Sequence, residues 1–183
     1  MHDGELWQVF QQNGQPVKGR GLLDDAFDRG ETLVQGNAHV WLWRKAGGGL
    51  EILLQKRSLT KKHSPGYYHI SAGGHVNLGE TAVQAAVRET EEEVGVGIDP
   101  TSLYLVHTTR VLPNWNDLKH VFIYQLNGDE QFSFDDGEVD SVEWCDLDEF
   151  KKMTVDAKSY KLVDQGAAYF DPLITAIRRQ ASL

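Results

Sequence analysis

Cysteine, basic residues and long apolar runs are all scarce in this 183-residue sequence. The single cysteine, Cys145, rules out a disulfide bond within the chain and is compatible with a reducing cytosol. No apolar run approaches the roughly 20 residues that a helix needs to span a bilayer. The first 15 residues lack the basic, apolar and small-residue zones of a signal peptide. We therefore expect a soluble cytoplasmic protein without a membrane partner.

The 18 basic residues are outnumbered by 27 acidic ones, so the formal net charge is −9. This balance argues against non-specific binding to a nucleic-acid backbone, and we expect no nucleic-acid polymer as a partner. It does not exclude small molecules that carry phosphate, provided that a metal ion or a local basic cluster offsets the repulsion. The length and the 40% hydrophobic content fit one domain with a substantial core. Nothing in the sequence indicates the oligomeric state.

The start of the chain predicts a hairpin and a short helix. The segment "LWQVFQQNGQPVKG" (6–19) places Asn13-Gly14, a pair typical of a tight turn, between two strand-like runs. The segment "LLDDAFDRG" (22–30) then predicts a short helix that ends at Gly30.

The rest of the chain predicts further strands and two helices. One helix is predicted in the middle of the chain, and apolar residues at helical spacing over 164–180 predict a second, with Pro172 marking its first turn. This order predicts a mixed sheet flanked by helices, either α+β or an α/β/α sandwich. The predicted strands are a pair around a glycine turn at 37–58, then 102–112, 119–126 and 138–147.

The stretch "GGHVNLGETAVQAAVRETEEEVGV" (73–96) concentrates negative charge in a chain that is already acidic. Thr81 and Gln84 have the spacing of a capping box, and Gly95 is placed to end a helix. We therefore predict a helix over 81–94. The acidic residues of the stretch are Glu80, Glu89, Glu91, Glu92 and Glu93.

Helical periodicity sorts the predicted helix into faces. At about 100° per residue, Glu89, Glu92 and Glu93 crowd one face with Arg88, beside small alanines. Such crowding is destabilising when uncompensated, whereas a hard divalent cation prefers an oxygen cluster of this kind. A run of Glu on a helix is nevertheless most often a solvated surface. The apolar stripe predicted to face the core consists of Val83, Val87, Thr90 and Val94.

The glycine-rich loop that precedes these acids at fixed spacing favours a functional interpretation. The stretch resembles the Nudix signature G-x5-E-x7-R-E-U-x-E-E-x-G-U, in which U is a bulky aliphatic residue. Thr90 departs from it at the first aliphatic position, where its methyl group can still pack. The matching residues are Gly74, Glu80, Arg88, Glu89, Glu92, Glu93, Gly95 and Val96.

The resemblance implies a fold, an αβα sandwich with a mixed central sheet and an N-terminal hairpin. It implies a single domain over 1–183, divided into the hairpin and short helix (1–35), the Nudix core (36–150) and a C-terminal helix (151–183).

The resemblance also implies an activity, the hydrolysis of a diphosphate linked to another moiety, such as a nucleoside, with Mg²⁺ or sometimes Mn²⁺. Glu89, Glu92 and Glu93 are the implied metal ligands, often joined by the carbonyl group of Gly73. The metal would neutralise the diphosphate of the small-molecule substrate and acidify the attacking water.

Two further roles in this chemistry concern a positioning residue and a general base. Arg88 would orient a carboxylate, either Glu80 or a ligand such as Glu92. Glu89 is one candidate for the general base. Glu138, in "FDDGEVDSVEW", is another, although an acidic turn before a strand is the more common meaning of that pattern.

The segment "LLQKRSLTKKHSPGYYHISAGGHV" (53–76) resembles the branch of the family that includes isopentenyl diphosphate isomerase. The resemblance implies that Arg57 and Lys61 contact a substrate diphosphate, although a basic strand end and a solvated loop would look the same. Trp115, in the loop "LPNWNDL", is the aromatic residue best placed by sequence to contact a ligand.

Isomerisation itself is disfavoured by the sequence. True isomerases carry a catalytic Cys before a Gly-His pair, where this chain has Gly73, and Cys145 lies far along the chain. The acidic residue of their next-to-last central strand is replaced around Lys119. A hydrolase is therefore favoured over an isomerase, and over a non-catalytic nucleotide-binding module, because the ligand carboxylates are complete. Isolated histidines receive no role: His2, His39, His63, His69, His107 and His120.

Overall fold

The N-terminal hairpin is present in the computed structural model, which describes residues 6–11, 14–22, 34–111, 117–134 and 137–183. Strand β1 (Trp7–Phe10) pairs antiparallel with β2 (Pro16–Leu22). Gly14 has φ 81°, a left-handed conformation that suits a tight turn. The helix predicted at 22–30 lies, apart from its first residue, outside the described residues.

Strand β3 (Val34–Ala46) organises the sheet because it has partners along both edges. One edge pairs in parallel with β8 (Asp117–Gln125) over nine consecutive residues. Along the other edge β3 pairs in turn with β1, then with β6 (Ala72–His75), then with β4 (Gly49–Arg57). Since three strands share one edge of a 13-residue strand, the sheet curls around this point.

Shorter strands complete the mixed sheet on both sides. Strand β4 pairs antiparallel with β5 (Tyr68–His69) and with β9 (Val139–Asp146). Strand β7 (Tyr104–Val111) pairs antiparallel with β8. The predicted strands at 37–58, 102–112, 119–126 and 138–147 are thus confirmed, whereas β5 and β6 were not predicted.

Helices cover both faces of the sheet, and β3 contributes to both cores by alternation. Its residues Trp41 and Trp43 pack with α2 (Leu147–Val155) and α3 (Ala167–Gln180). The intervening Val40 and Leu42 pack with α1 (Ala82–Val94) on the opposite face. This confirms the mixed sheet between helical layers. Among the described residues, no helix is long and apolar enough to cross a membrane.

Near the C-terminus one helix was not predicted, and one prediction about a helix was wrong. Helix α2 was not predicted, although Asp146 caps it by accepting hydrogen bonds from the backbone N–H groups of Asp148 and Glu149. The sequence does contain a signal for the start of this helix, an Asp followed three residues later by a Glu. Pro172 lies inside α3 rather than in its first turn, because the helix already begins at Ala167. The domain boundaries remain predictions.

Candidate active site

Local sequence sets the two ends of α1. The Thr81 hydroxyl accepts a hydrogen bond from the Gln84 backbone N–H at 3.2 Å, and the Gln84 side chain accepts one from the Thr81 N–H at 2.9 Å. This is the predicted capping box. Gly95 ends the helix with φ 71°, as predicted.

The face of α1 that meets the sheet differs from the predicted apolar stripe. Thr90 and Val94 are buried as predicted, but Val83 is exposed and Val87 only half-buried. Ala85, Ala86 and Glu93 take up the rest of the buried surface. Small alanines on this face let the helix pack closely against the sheet, and Glu89 and Glu93 lie beside β6. Thr90 satisfies its buried hydroxyl by donating to the Ala86 carbonyl at 2.7 Å.

The acidic cluster consists of Glu80, Glu89, Glu92 and Glu93, and Arg88 contacts the first three of them. Its Nε and Nη2 donate to the two carboxylate oxygens of Glu80, each at 3.0 Å. Its Nη1 donates to Glu89 Oε1 at 2.7 Å and to Glu92 Oε2 at 2.9 Å. Burial opposes the charge of Arg88, but these carboxylates outweigh it and raise the pKa of the guanidinium. Arg88 Nη2 also donates to the His75 carbonyl at 2.9 Å, which fixes the arginine to β6.

Glu93 is the buried member of the cluster, with 7% of its surface exposed. Its Oε2 accepts hydrogen bonds from the Gly73 backbone N–H at 2.8 Å and from Gln55 Nε2 at 3.0 Å. Burial raises the pKa of Glu93 to about 8, with the charges of Glu89 and Glu138 adding to the effect and the hydrogen bonds opposing it. The site therefore contains a buried carboxylate whose ionised form is disfavoured.

The two glycines before α1 allow the helix and strand β6 to meet. A Cβ atom on Gly74 would stand 2.3 Å from Glu89 Oε1. On Gly73 it would stand 2.3 Å from the carbonyl oxygen of Ala38 in β3. A side chain at Gly73 would therefore collide with backbone atoms, whereas one at Gly74 would displace the Glu89 carboxylate.

Two of the predicted substrate-binding residues lie beside this cluster. Arg57 Nε donates to the His63 carbonyl at 3.1 Å, and the charges of Glu93 and Glu138 act on its guanidinium. Burial lowers the pKa of Arg57 despite those charges. Lys61 Nζ contacts Glu138 Oε2 at 2.5 Å. The structure thus brings Glu138, from the turn before β9, to the same site. Trp115 lies outside the described residues.

The donor chemistry of the cluster fits a divalent cation. Three carboxylates are hard oxygen donors, and a bound cation would favour the ionised form of Glu93, whose pKa is raised by burial. In the part of the chain that the structure describes, no three His, Cys, Asp or Glu side chains are already gathered around one point. Arg88 Nη1 instead joins Glu89 and Glu92, the latter with 54% of its side chain exposed.

Comparison with known proteins identifies the family of this chain. A family model described as NUDIX domain matches residues 34–165, which is most of the chain. The chain belongs to the NUDIX domain family. The match begins with β3 and includes every Nudix signature residue.

Two kinds of curated relatives resemble this Nudix chain. An uncharacterized Nudix hydrolase of Listeria monocytogenes is 36% identical over 99 residues, which cover 52% of this chain and 53% of that protein. An isopentenyl-diphosphate Delta-isomerase of Shigella boydii is 34% identical over 144 residues, or 76% of each protein. The chain spans about half the length of the first of these relatives.

Solved structures share the Nudix fold at low sequence identity. A protein of Deinococcus radiodurans has a TM-score of 0.67 with 19% identity. The match covers 96% of this chain and 98% of that protein. An Ap4A hydrolase of Caenorhabditis elegans, in a binary complex, has a TM-score of 0.61 with 22% identity. The match covers 82% of this chain and 100% of that protein. The NUDIX domain of Shewanella oneidensis NrtR, complexed with ADP ribose, has a TM-score of 0.62 with 14% identity. The match covers 85% of this chain and 94% of that domain.

Proposed function

We propose that this protein is a hydrolase that depends on Mg²⁺ or Mn²⁺ and cleaves the diphosphate linkage of a nucleoside diphosphate derivative or another organic diphosphate. The observation that carries the proposal is the hydrogen bond between Glu93, a buried carboxylate of α1, and the Gly73 N–H of β6. It supports one ion-binding site formed by the glycine loop and the acidic helix. The Nudix relatives support the same class of chemistry.

In this mechanism the carboxylates of Glu89, Glu92 and Glu93 hold the cation, with the Gly73 carbonyl as a further candidate ligand. When bound, the cation neutralises diphosphate charge and acidifies the attacking water. Arg88 holds Glu89 and Glu92 in place through Nη1 and is itself held by Glu80. Its role is to position ligands.

Arg57 and Lys61 would bind diphosphate oxygens opposite the carboxylates, because cations there offset the charge of the anionic substrate. Glu89 is the first candidate for general base, since it lies within the cluster that would hold the water. Glu138 is the second candidate. Its ion pair with Lys61 also suits a role in holding that lysine near the substrate.

The test is release of phosphate-containing product from a panel of organic diphosphates with Mg²⁺. We expect Glu92→Gln to lower kcat about 100-fold or more, because it removes one ligand charge. Glu91→Gln is the matched control, since Glu91 lies on the same helix but faces solvent. Absence of turnover on every substrate, or equal activity in both variants, would refute the proposal.

Isomerisation of an isopentenyl-type diphosphate is the second candidate function, because an isomerase is among the relatives at 34% identity. Its weakness is the position of the thiol. Cys145 lies on β9, where its Sγ is 3.8 Å from Met153 Sδ and burial raises the pKa of the thiol to about 11. Incubation with isopentenyl diphosphate followed by product analysis separates the two functions, and we expect no isomer. A non-catalytic nucleotide-binding module would bind the diphosphates without turnover.

A further inference from the structure

A row of polar side chains crosses the sheet on the face opposite α1. Strand pairing places His75 of β6, Asn37 of β3 and Lys119 of β8 directly beside one another. His39 follows on the same face of β3, two residues after Asn37. The indole of Trp7 stacks on His75, with 3.7 Å between ring centroids. Core positions of a sheet normally carry apolar residues, so a continuous polar row requires an explanation.

Lys119 is the buried cation of this row, with 8% of its surface exposed. Its Nζ donates to Gln165 Oε1 at 2.6 Å, a neutral acceptor. Asp117, on the same face of β8, is the acidic group whose charge acts on it. Burial lowers the pKa of Lys119, and Asp117 opposes this effect. A buried ammonium group of this kind is costly and is characteristic of binding sites.

His69 connects this row to the basic residues beside the acidic cluster. Burial, together with the charges of Arg57, Lys119 and Lys61, lowers the pKa of His69 to about 3. The imidazole is therefore neutral at physiological pH and carries one N–H donor. Its ring lies 6.0 Å from that of His39, centroid to centroid. Three cations thus act on one neutral donor. Each of them also interacts with a carboxylate: Arg57 with Glu93 and Glu138, Lys61 with Glu138, and Lys119 with Asp117.

The acidic cluster lies next to the polar row, because the two residues that donate hydrogen bonds to Glu93 are strand partners of histidines in that region. Gln55, which donates to Glu93, is the partner of His69 between β4 and β5. Gly73, the second donor to Glu93, is the partner of His39 between β3 and β6. The polar row and the carboxylates are therefore adjacent across β6.

We propose that Lys119 and His69 form an anion subsite that binds phosphate oxygens of the substrate on the side of β6 opposite the carboxylates. This inference rests on the proposed function, because it assigns the subsite to the same diphosphate substrate. His39 is a positioning residue: its Nδ1 is hydrogen-bonded to the Tyr169 hydroxyl at 2.8 Å, which holds the ring beside His69. The subsite would select for anionic substrates independently of the metal.

The test measures binding of inorganic pyrophosphate by titration calorimetry, with Mg²⁺ and with a chelator. We expect Lys119→Met to raise the Kd for pyrophosphate about 10-fold or more. The Kd of Lys119→Arg should stay within about 3-fold of the wild-type value. Lys152→Met is the matched control, because this exposed lysine on α2 pairs with Glu149. In turnover, we expect Lys119→Met to raise KM with little change in kcat.

Several outcomes would overturn the subsite: wild-type affinity in Lys119→Met, equal weakening by Met and Arg, or no pyrophosphate binding by the wild-type protein under either condition. If Lys119→Met does not fold, His69→Gln is measured instead. We expect it to raise the Kd for pyrophosphate about 5-fold or more. An unchanged Kd would contradict the proposal. Binding that depends on Lys119 without turnover of any diphosphate would refute the hydrolase and keep the subsite.

Discussion

Arg88 and Glu80 form a bidentate ion pair, with Nε and Nη2 of the guanidinium each 3.0 Å from a carboxylate oxygen. Glu80 lies in the loop before α1, where its Oε2 also accepts the Asn77 N–H at 2.8 Å. The loop therefore fixes the arginine that in turn contacts Glu89 and Glu92. Such a pair gives geometric specificity as well as energy.

The first prediction concerns this ion pair. Glu80→Gln places an amide NH₂ where Arg88 needs an acceptor, so the guanidinium loses one of its two fixed bonds. We expect kcat for diphosphate hydrolysis to fall about 10- to 100-fold, with a smaller change in KM. Steady-state kinetics with the best substrate of the panel measures both constants. If the control Glu91→Gln loses as much activity, or Glu80→Gln loses none, the positioning role of Arg88 is wrong.

The second prediction concerns the close approach of Gly74 to Glu89. In Gly74→Ala the new Cβ would stand 2.3 Å from the Glu89 carboxylate, which must move away. Since this carboxylate is the end of a flexible side chain, we expect a loss of free energy of unfolding of only about 1 kcal/mol but a kcat reduced about 10-fold or more. Urea unfolding and kinetics measure the two effects.

Gly97→Ala is the control for Gly74→Ala, because a Cβ there meets nothing within 4 Å. We expect it to change neither quantity. A Gly74→Ala enzyme with full activity would show that the position of Glu89 does not matter for the reaction.

The third prediction concerns pH and Glu93. The folded-state pKa of about 8 lies above the ordinary value of 4.5, so between these pH values the native state holds a proton that the unfolded state has released. Glu93 should therefore make the free energy of unfolding of the metal-free protein decrease as pH rises through this window, by at most about 1.4 kcal/mol per pH unit. Below about pH 6.5 the buried histidines, such as His69 with its lowered pKa, contribute the opposite slope. Urea unfolding with a chelator at about pH 7 to 8, above the range in which the histidines titrate, measures the slope.

Glu93→Gln isolates this contribution, because a neutral amide oxygen can still accept from Gly73 and Gln55. We expect the variant to lose most of the pH slope and to exceed wild-type stability at pH 8. Added Mg²⁺ should stabilise wild type more than Glu93→Gln. Identical pH slopes in the two proteins would contradict the raised pKa of Glu93.

The fourth prediction concerns the start of α1. Thr81→Ala removes the hydroxyl that accepts the Gln84 N–H at 3.2 Å. We expect a loss of about 1 kcal/mol in the free energy of unfolding, the usual cost of an N-cap. Thermal or urea unfolding measures it, and Thr81→Ser should restore most of the loss. A Ser variant as unstable as the Ala variant would show that the cap is not the cause.

Neighbouring residues alone determined much of this protein. The N-cap at Thr81 and the stop at Gly95 follow from hydrogen bonds and backbone preferences within a few residues. Helical spacing placed Arg88 within reach of Glu92, four residues further along the same helix. Its contact with Glu80, in the loop before the helix, was implied by the resemblance to the Nudix signature. The alternation of β3 between two cores is likewise local.

Tertiary structure decided the environment of each group. Helical periodicity could not show that α1 turns Glu93 rather than Val83 towards the sheet, because that orientation depends on how closely Ala85 and Ala86 pack. Nor could it show that Lys119 of β8 lies beside His75 of β6, since strand register joins residues far apart in the chain. Burial and the nearby charges of other strands, rather than residue type, set the pKa of Glu93 and of His69.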